Sequence, residues 1–391
     1  MPAAKSENRS LRISQRKSER FGEWRSAWRL GLPASVAAKK SVPLSRDAAG
    51  VPRHSMFDHR FLCAAESMGT VFECATHRPS TFGSNRSMRR AEWIHVVVFC
   101  FFGSLSWIRR LPGGRRARVT GLSAAGLGVT LTGAFLLPRL LPALAASVVR
   151  DWLPAALILI VYRQAGEFFL RVDQPLQNWL ERFDERLVGP LLRWISRRRL
   201  RKWIGVYLEL AYLLCYPMVP MSVGALYLLR LGSESDHFWS VVLIATYLSY
   251  GALPFLQTMP PRTRVEPWLE PLPPNPVRRF NLWILNGASI HANTFPSAHV
   301  AASAAAAMVF FQVAPLPVAL LFGAIAAGIA LGTFTGRYHF AADSIAGILV
   351  AVTVFLIVNG VEPRSNPNTV PIIAVNGDRG ARLSDRLSRL H

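Results

Sequence analysis

The chain has 391 residues, of which 51% are hydrophobic and only 17% charged, with a formal net charge of +22. A soluble domain carries about a quarter charged residues, so a wholly aqueous fold is disfavoured and a bilayer is the expected solvent for most of the chain. The cationic excess brings nucleic acid to mind, but Lys and Arg lie in the N-terminal region and between apolar blocks, without zinc-finger spacing or an aromatic-basic RNA motif. No nucleic-acid partner is expected, and anionic membrane lipids account for the charge.

Residues 1–90, rich in Ser and Arg and without a secretory signal at the start, read as a disordered basic arm. Met88 precedes Arg89, Arg90 and an apolar run from Trp93 to Ile108, the pattern of a signal-anchor, so a translation start near Met88 is the alternative reading. Residues 91–150 read as N-terminal membrane segments, 151–360 as a membrane-embedded domain and 361–391 as a flexible polar tail. A helix needs roughly 20 residues to cross the hydrocarbon core. On that basis the expected spans are 93–108, 119–145, 152–170, 204–229, 238–258, 298–314, 315–334 and 342–359. The predicted class is all-α, a polytopic transmembrane helical bundle with a six-helix core plus one or two N-terminal spans.

Several local signals sharpen this picture. Pro315 and Pro317 divide a long apolar stretch into a helical hairpin. Between 171 and 203, Leu176, Trp179, Leu180, Phe183, Leu187, Leu191 and Ile195 recur at helical spacing among Arg and Glu. That periodicity predicts an amphipathic helix lying in the interface and ending in Arg197-Arg198-Arg199. The proline-rich stretch 259–297 is the long polar loop between spans, and a loop of that length is a functional candidate. Cys100 and Cys215 sit in apolar runs as small hydrophobes. Spacing alone does not decide whether Cys63 and Cys74 pair.

Three short stretches carry chemistry. Pro260-Pro261-Arg262 ends one span, Phe295-Pro296-Ser297-Ala298-His299 opens another, and Gly336-Arg337-Tyr338-His339-Phe340-Ala341-Ala342-Asp343 joins the last two. Span parity puts all three on one membrane face, where ionisable residues at span ends are functional candidates. A phosphate ester is held by Arg forks and by hydroxyl or amide donors. Arg262 and Ser297 supply them, the helix opening at Ala298 adds free backbone N–H groups, and Arg337 is a further candidate. His339 becomes a nucleophile when a carboxylate holds its other ring nitrogen, and Asp343 lies one helical turn later. His299 is the candidate general acid for the leaving oxygen. Two His and one Asp also make a zinc-ligand set, but the neighbouring arginines would repel a cation. No metal and no cofactor is expected.

These motifs resemble those of the type-2 phosphatidic acid phosphatase superfamily, which includes vanadium haloperoxidases. Pro296-Ser297-Ala298-His299 is similar to its Pro-Ser-Gly-His stretch with Ala for Gly, and His339-x3-Asp343 matches the end of its Ser-Arg-x5-His-x3-Asp stretch. The resemblance covers about residues 150 to 360. It implies that His339 is transiently phosphorylated, that Asp343 orients it, that His299 is the acid, and that Ser297 and Arg262 hold the phosphate. The implied activity is that of a metal-independent phosphatase acting on a lipid-linked substrate, either a lipid phosphate or a polyprenyl diphosphate. The Pro-Pro-Arg form, with Asp184, Gly189-Pro190, Tyr212 and Tyr216-Pro217, looks more like the inositolphosphotransferase-like branch, so a headgroup phosphotransferase is the alternative. The chain departs from the superfamily pattern where Phe255 stands for Lys, Thr263 for Pro and Thr333 for the second Arg. Those departures make a non-catalytic membrane protein with the same fold the competing expectation. The resemblance also implies a multi-pass protein of the plasma (inner) membrane with an extracytoplasmic pocket. The basic stretches 109–118 and 171–203 share the pocket's side, which the positive-inside rule would make cytoplasmic.

Overall fold

A computed structural model describes residues 87–197, 202–263 and 275–361. The readings of the basic arm, of Cys63 and Cys74, and of the C-terminal tail fall outside them. Among the described residues all regular structure is helical, apart from an isolated bridge between Thr258 and Asn293. The helices form a polytopic bundle.

Helices α1 (Arg90–Ile108), α2 (Gly113–Leu140) and α3 (Ala143–Glu167) are each long and apolar enough to cross a membrane. Two shorter helices follow, α4 (Gln174–Leu187) and α5 (Gly189–Arg197). Then α6 (Lys202–Leu213) and α7 (Met218–Leu228) form one apolar path bent by 75°. The bundle is completed by α8 (Ser235–Ala252), α9 (Pro276–Ala288), α10 (Ala298–Val313), α11 (Leu316–Thr335) and α12 (Ala341–Val361), of which α11 and α12 are again of spanning length.

The eight expected spans therefore resolve differently. Five helices are full-length candidates and the α6–α7 pair is a broken one. Helices α8 and α10 are shorter or more polar because they lie inside the bundle. Helix α8 packs against α1, α3, α10 and α12, so it faces protein rather than lipid. It can therefore carry hydroxyls, and these return to the carbonyl one turn earlier: Ser240 to Asp236 at 2.7 Å, Thr246 to Val242 at 2.6 Å. Helix α10 has 16 residues, and its alanines from Ala301 to Ala307 let α8, α11 and α12 approach closely.

Four local expectations are corrected. The amphipathic stretch is two helices, because Gly189-Pro190 interrupts the ladder and Pro190 suits the first turn of a new helix. The expected span 204–229 bends at Leu214–Pro217, where Pro217 has no N–H to donate. The second span begins at Gly113 and ends at Leu140, and Pro142 starts the third at Ala143, nine residues ahead of the expected 152. The loop 259–297 contains α9, whose start is an Asn275 cap accepting the Arg278 N–H at 2.8 Å.

The bundle has two distinct ends. At one, ion pairs join α1 to α3 and α8: Arg150 with Glu92 at 2.6 Å, Arg89 with Asp151 at 2.6 Å, and Arg90 with Asp236 at 3.1 Å. At the other, Arg109 donates to the Pro254 carbonyl at 3.0 Å and Arg115 to the Phe169 carbonyl at 2.6 Å. The three motifs gather at this second end.

Candidate active site

Backbone hydrogen bonds tie the three motifs into a triangle. The bridge between Thr258 and Asn293, with the Asn293 N–H donating to the Thr258 carbonyl at 2.8 Å, brings the Pro260-Pro261-Arg262 turn beside the start of α10. The Arg262 N–H donates to the Arg337 carbonyl at 2.9 Å, which joins that turn to the α11–α12 connection. The Ser297 N–H donates to the Asp343 carbonyl at 3.0 Å, which closes the third side. Gly347 permits the last contact: a Cβ there would lie 2.7 Å from the Ser297 carbonyl oxygen, so α12 reaches the head of α10 only without a side chain.

Within this frame His299 and His339 face each other, with ring centroids 6.1 Å apart at 76°. Asp343 is fully buried, and its Oδ2 lies 3.3 Å from His339 Nδ1 while accepting the Phe340 N–H at 2.8 Å. Helix α12 starts at Ala341, after His339, so the carboxylate meets the ring from the first turn of the helix. The contact turns the other ring nitrogen, Nε2, away from Asp343. Burial, and then the Arg262 guanidinium, push the His339 imidazole down from its ordinary 6.5 to about 3. The ring is thus neutral, the form in which a nitrogen lone pair is available.

Arg262 sits in a short turn, Pro261–Thr263, and its guanidinium donates to the Tyr338 carbonyl at 3.2 Å and to Ser289 Oγ at 3.4 Å. Ser297 is the N-cap of α10 and accepts the Val300 N–H at 3.5 Å. The Ala298 N–H points to Thr294 Oγ1 at 3.5 Å. Arg337 stands in the left-handed region at φ 62°, a conformation that costs a non-glycine residue about 1–2 kcal/mol. Among the described residues no group of three or more His, Cys, Asp or Glu gathers as a metal cage.

Thr333, at the position of the superfamily's second Arg, lies buried beneath the turn, and its carbonyl accepts the N–H groups of Tyr338 at 2.9 Å and His339 at 3.2 Å. At Phe255, where the pattern has Lys, the side chain is half exposed, and the guanidinium carbon of Arg109 lies 4.7 Å over its ring.

Sequence reasoning did not single out Glu209, Arg278 and Asn281 behind His339, and it named Tyr212, Tyr216 and Asp184 only for their resemblance to one branch. Tyr338 is fully buried and stacks on Tyr212 at 3.7 Å and 12°. Its hydroxyl donates to Glu209, which also takes Arg278 at 2.7 Å and Asn281 at 2.8 Å. One signal could have found Glu209: it is the only acid in the apolar run Ile204–Leu213, and an ionisable residue inside a span is a functional candidate by default. The bend after α6 also sets Tyr212 and Tyr216 beside His299, with centroids at 6.4 and 5.8 Å. On the outer side, the buried face of α4 covers the site: Leu180 packs with Phe340 and Phe295, and Asp184 accepts the Ala341 N–H at 2.9 Å.

Residues 178–357, from α4 through most of α12 and including all three motifs, match the profile of the PAP2 superfamily. The match supports the resemblance at the level of the superfamily. Comparison with curated proteins and with solved structures yields no match.

Proposed function

We propose that this protein is an integral membrane phosphatase that hydrolyses a lipid phosphate or a polyprenyl diphosphate through a phosphorylated His339. The observation that carries this reading is the pair of facing imidazoles, 6.1 Å apart, one of them backed by a buried carboxylate. In the first step Nε2 of His339 forms a bond to phosphorus as the bond to the leaving oxygen breaks, and His299, whose protonated form the negative charge of the bound substrate favours, gives that oxygen its proton. Asp343 stabilises the positive charge that develops on the His339 ring. In the second step water attacks phosphorus, His299 takes its proton, and the P–N bond breaks to return neutral His339 and phosphate. Arg262, Arg337, Ser297 and the Ala298 N–H are the proposed holders of the phosphoryl oxygens.

A second reading, headgroup transfer as in the inositolphosphotransferase-like branch, is favoured by the Tyr212–Tyr216-Pro217 bend against His299. It keeps the first step and replaces water with an alcohol. Detergent-solubilised protein given phosphatidic acid or a polyprenyl diphosphate, with and without an alcohol acceptor such as inositol, separates the two. Release of phosphate that is insensitive to chelator, blocked by vanadate and abolished in His339→Ala is the expected result. Full activity in His339→Ala removes the mechanism, activity lost with chelator points to metal chemistry, and a wild type without activity on the whole panel favours a non-catalytic protein.

The proposed location is the plasma (inner) membrane with the pocket on the extracytoplasmic face. In that orientation Val361, at the far end of α12 from the site, lies on the cytoplasmic side. A C-terminal reporter that works only outside the cytoplasm reverses the orientation.

A further inference from the structure

We propose that Glu209 is a positioning residue for His339, acting through Tyr338 and the turn that carries the nucleophile; this rests on the reading of His339 as the phosphoryl acceptor. Asp343 fixes how the His339 ring is turned, but it does not fix where the His339 backbone lies. That is set by the Gly336–Phe340 turn, which leaves α11 with Arg337 in the left-handed region. The turn is gripped from two sides. Arg262 takes the Tyr338 carbonyl with its guanidinium and the Arg337 carbonyl with its backbone N–H. On the other side, everything converges on Glu209.

Glu209 Oε1 accepts from Arg278 Nη1 at 2.7 Å, and the same Nη1 reaches the Gly336 carbonyl at 3.1 Å. Oε2 accepts from Asn281 Nδ2 at 2.8 Å and from the Tyr338 hydroxyl. One buried carboxylate therefore holds both the residue that opens the turn and the residue before the nucleophile. The Tyr338 ring cannot swing, because Tyr212 lies flat against it and the guanidinium carbon of Arg278 lies 5.6 Å from its centroid. The ion pair with Arg278 cancels the charge of Glu209, so a carboxylate sits near an anion-binding pocket without opposing the anion. The bland alternative is that the cluster merely joins α6 to α9. It is distinguishable, because a structural clamp alters the amount of folded protein, whereas a positioning clamp alters the chemistry of each folded molecule.

The test uses the full chain in detergent, with whichever lipid phosphate the wild type cleaves, and compares wild type, His339→Ala, Tyr338→Phe and Glu209→Gln. Tyr338→Phe keeps the stack on Tyr212 and removes only the hydroxyl, and Glu209→Gln keeps the shape and removes the charge. Both variants are expected to lower kcat about 10- to 100-fold with KM nearly unchanged, since small misplacement of a reacting group has effects of that size. Vanadate inhibition should weaken by a similar factor, with kcat and inhibition both normalised to folded protein. Wild-type kcat and vanadate affinity in both variants, with His339→Ala dead, overturn the positioning role and leave the phosphatase reading standing. An inactive wild type, or an active His339→Ala, sinks that reading and the positioning role with it.

Discussion

At the scale of the residue, His339 combines a depressed basicity with a carboxylate on one nitrogen. A ring whose folded-state value lies near 3, against 6.5 unperturbed, binds its proton less readily in the folded than in the unfolded protein. The contribution of His339 to stability therefore rises with pH between about 3 and 6.5 and is lost as the medium is acidified through that window. We expect the melting temperature of solubilised protein to fall from pH 6.5 to 4, with a shallower slope in His339→Gln, where that titration is gone. An equal slope in the two proteins would show that other groups carry the acid sensitivity.

At the scale of the element, α4 packs against the turn that carries His339. Its hydrophobic periodicity was readable from the chain. Its inner face is a different matter. Asp184 caps α12 from outside that helix, accepting the Ala341 N–H two residues after His339. A helix start normally uses a cap from its own sequence, and no local signal reveals one borrowed from a helix 157 positions away. Asp184→Ala should cost about 1–2 kcal/mol of stability by the measure of lost caps, and, if His339 is the nucleophile as proposed, it should lower kcat, because the freed N–H adjoins the turn that carries it. Asp184→Asn, which still accepts, should retain most of both. Thermal unfolding and phosphate release on the same preparations check this, and equal activity in all three proteins would reduce α4 to an anchor.

For the whole molecule, the two ends of the bundle divide labour. The end away from the site holds the buried pair Glu92–Arg150, with side chains 7% and 6% exposed. Removing one member of such a pair strands the other charge, at about 3–5 kcal/mol. Glu92→Ala should therefore lower thermal stability strongly, while kcat per folded molecule stays at the wild-type value. A matching fall in kcat would mean that the ends are coupled, and that α1 and α3 transmit strain to the site.

Much of this protein was legible before any coordinates. Long apolar blocks must become helices, because lipid offers no partner for a free backbone group, and Pro315 divides a hairpin by removing an N–H, whereas the breaks at Pro142 and Pro217 fall inside stretches that read as continuous spans. The motif residues His299, Asp343 and Ser297 were legible because each sits at or near a helix start, where spacing along one chain sets the geometry. Glu209, Arg278, Asn281 and their link to Tyr338 were not, since Glu209 and Tyr338 are 129 positions apart. Their meeting depends on the α6–α7 bend, on α9 folding inside a loop that reads as polar, and on Gly347 letting α12 close on α10. Helix identity is a local property of backbone and solvent, so it can be read along the chain. Which buried polar groups satisfy one another is a property of packing, and it exists only once the helices are side by side.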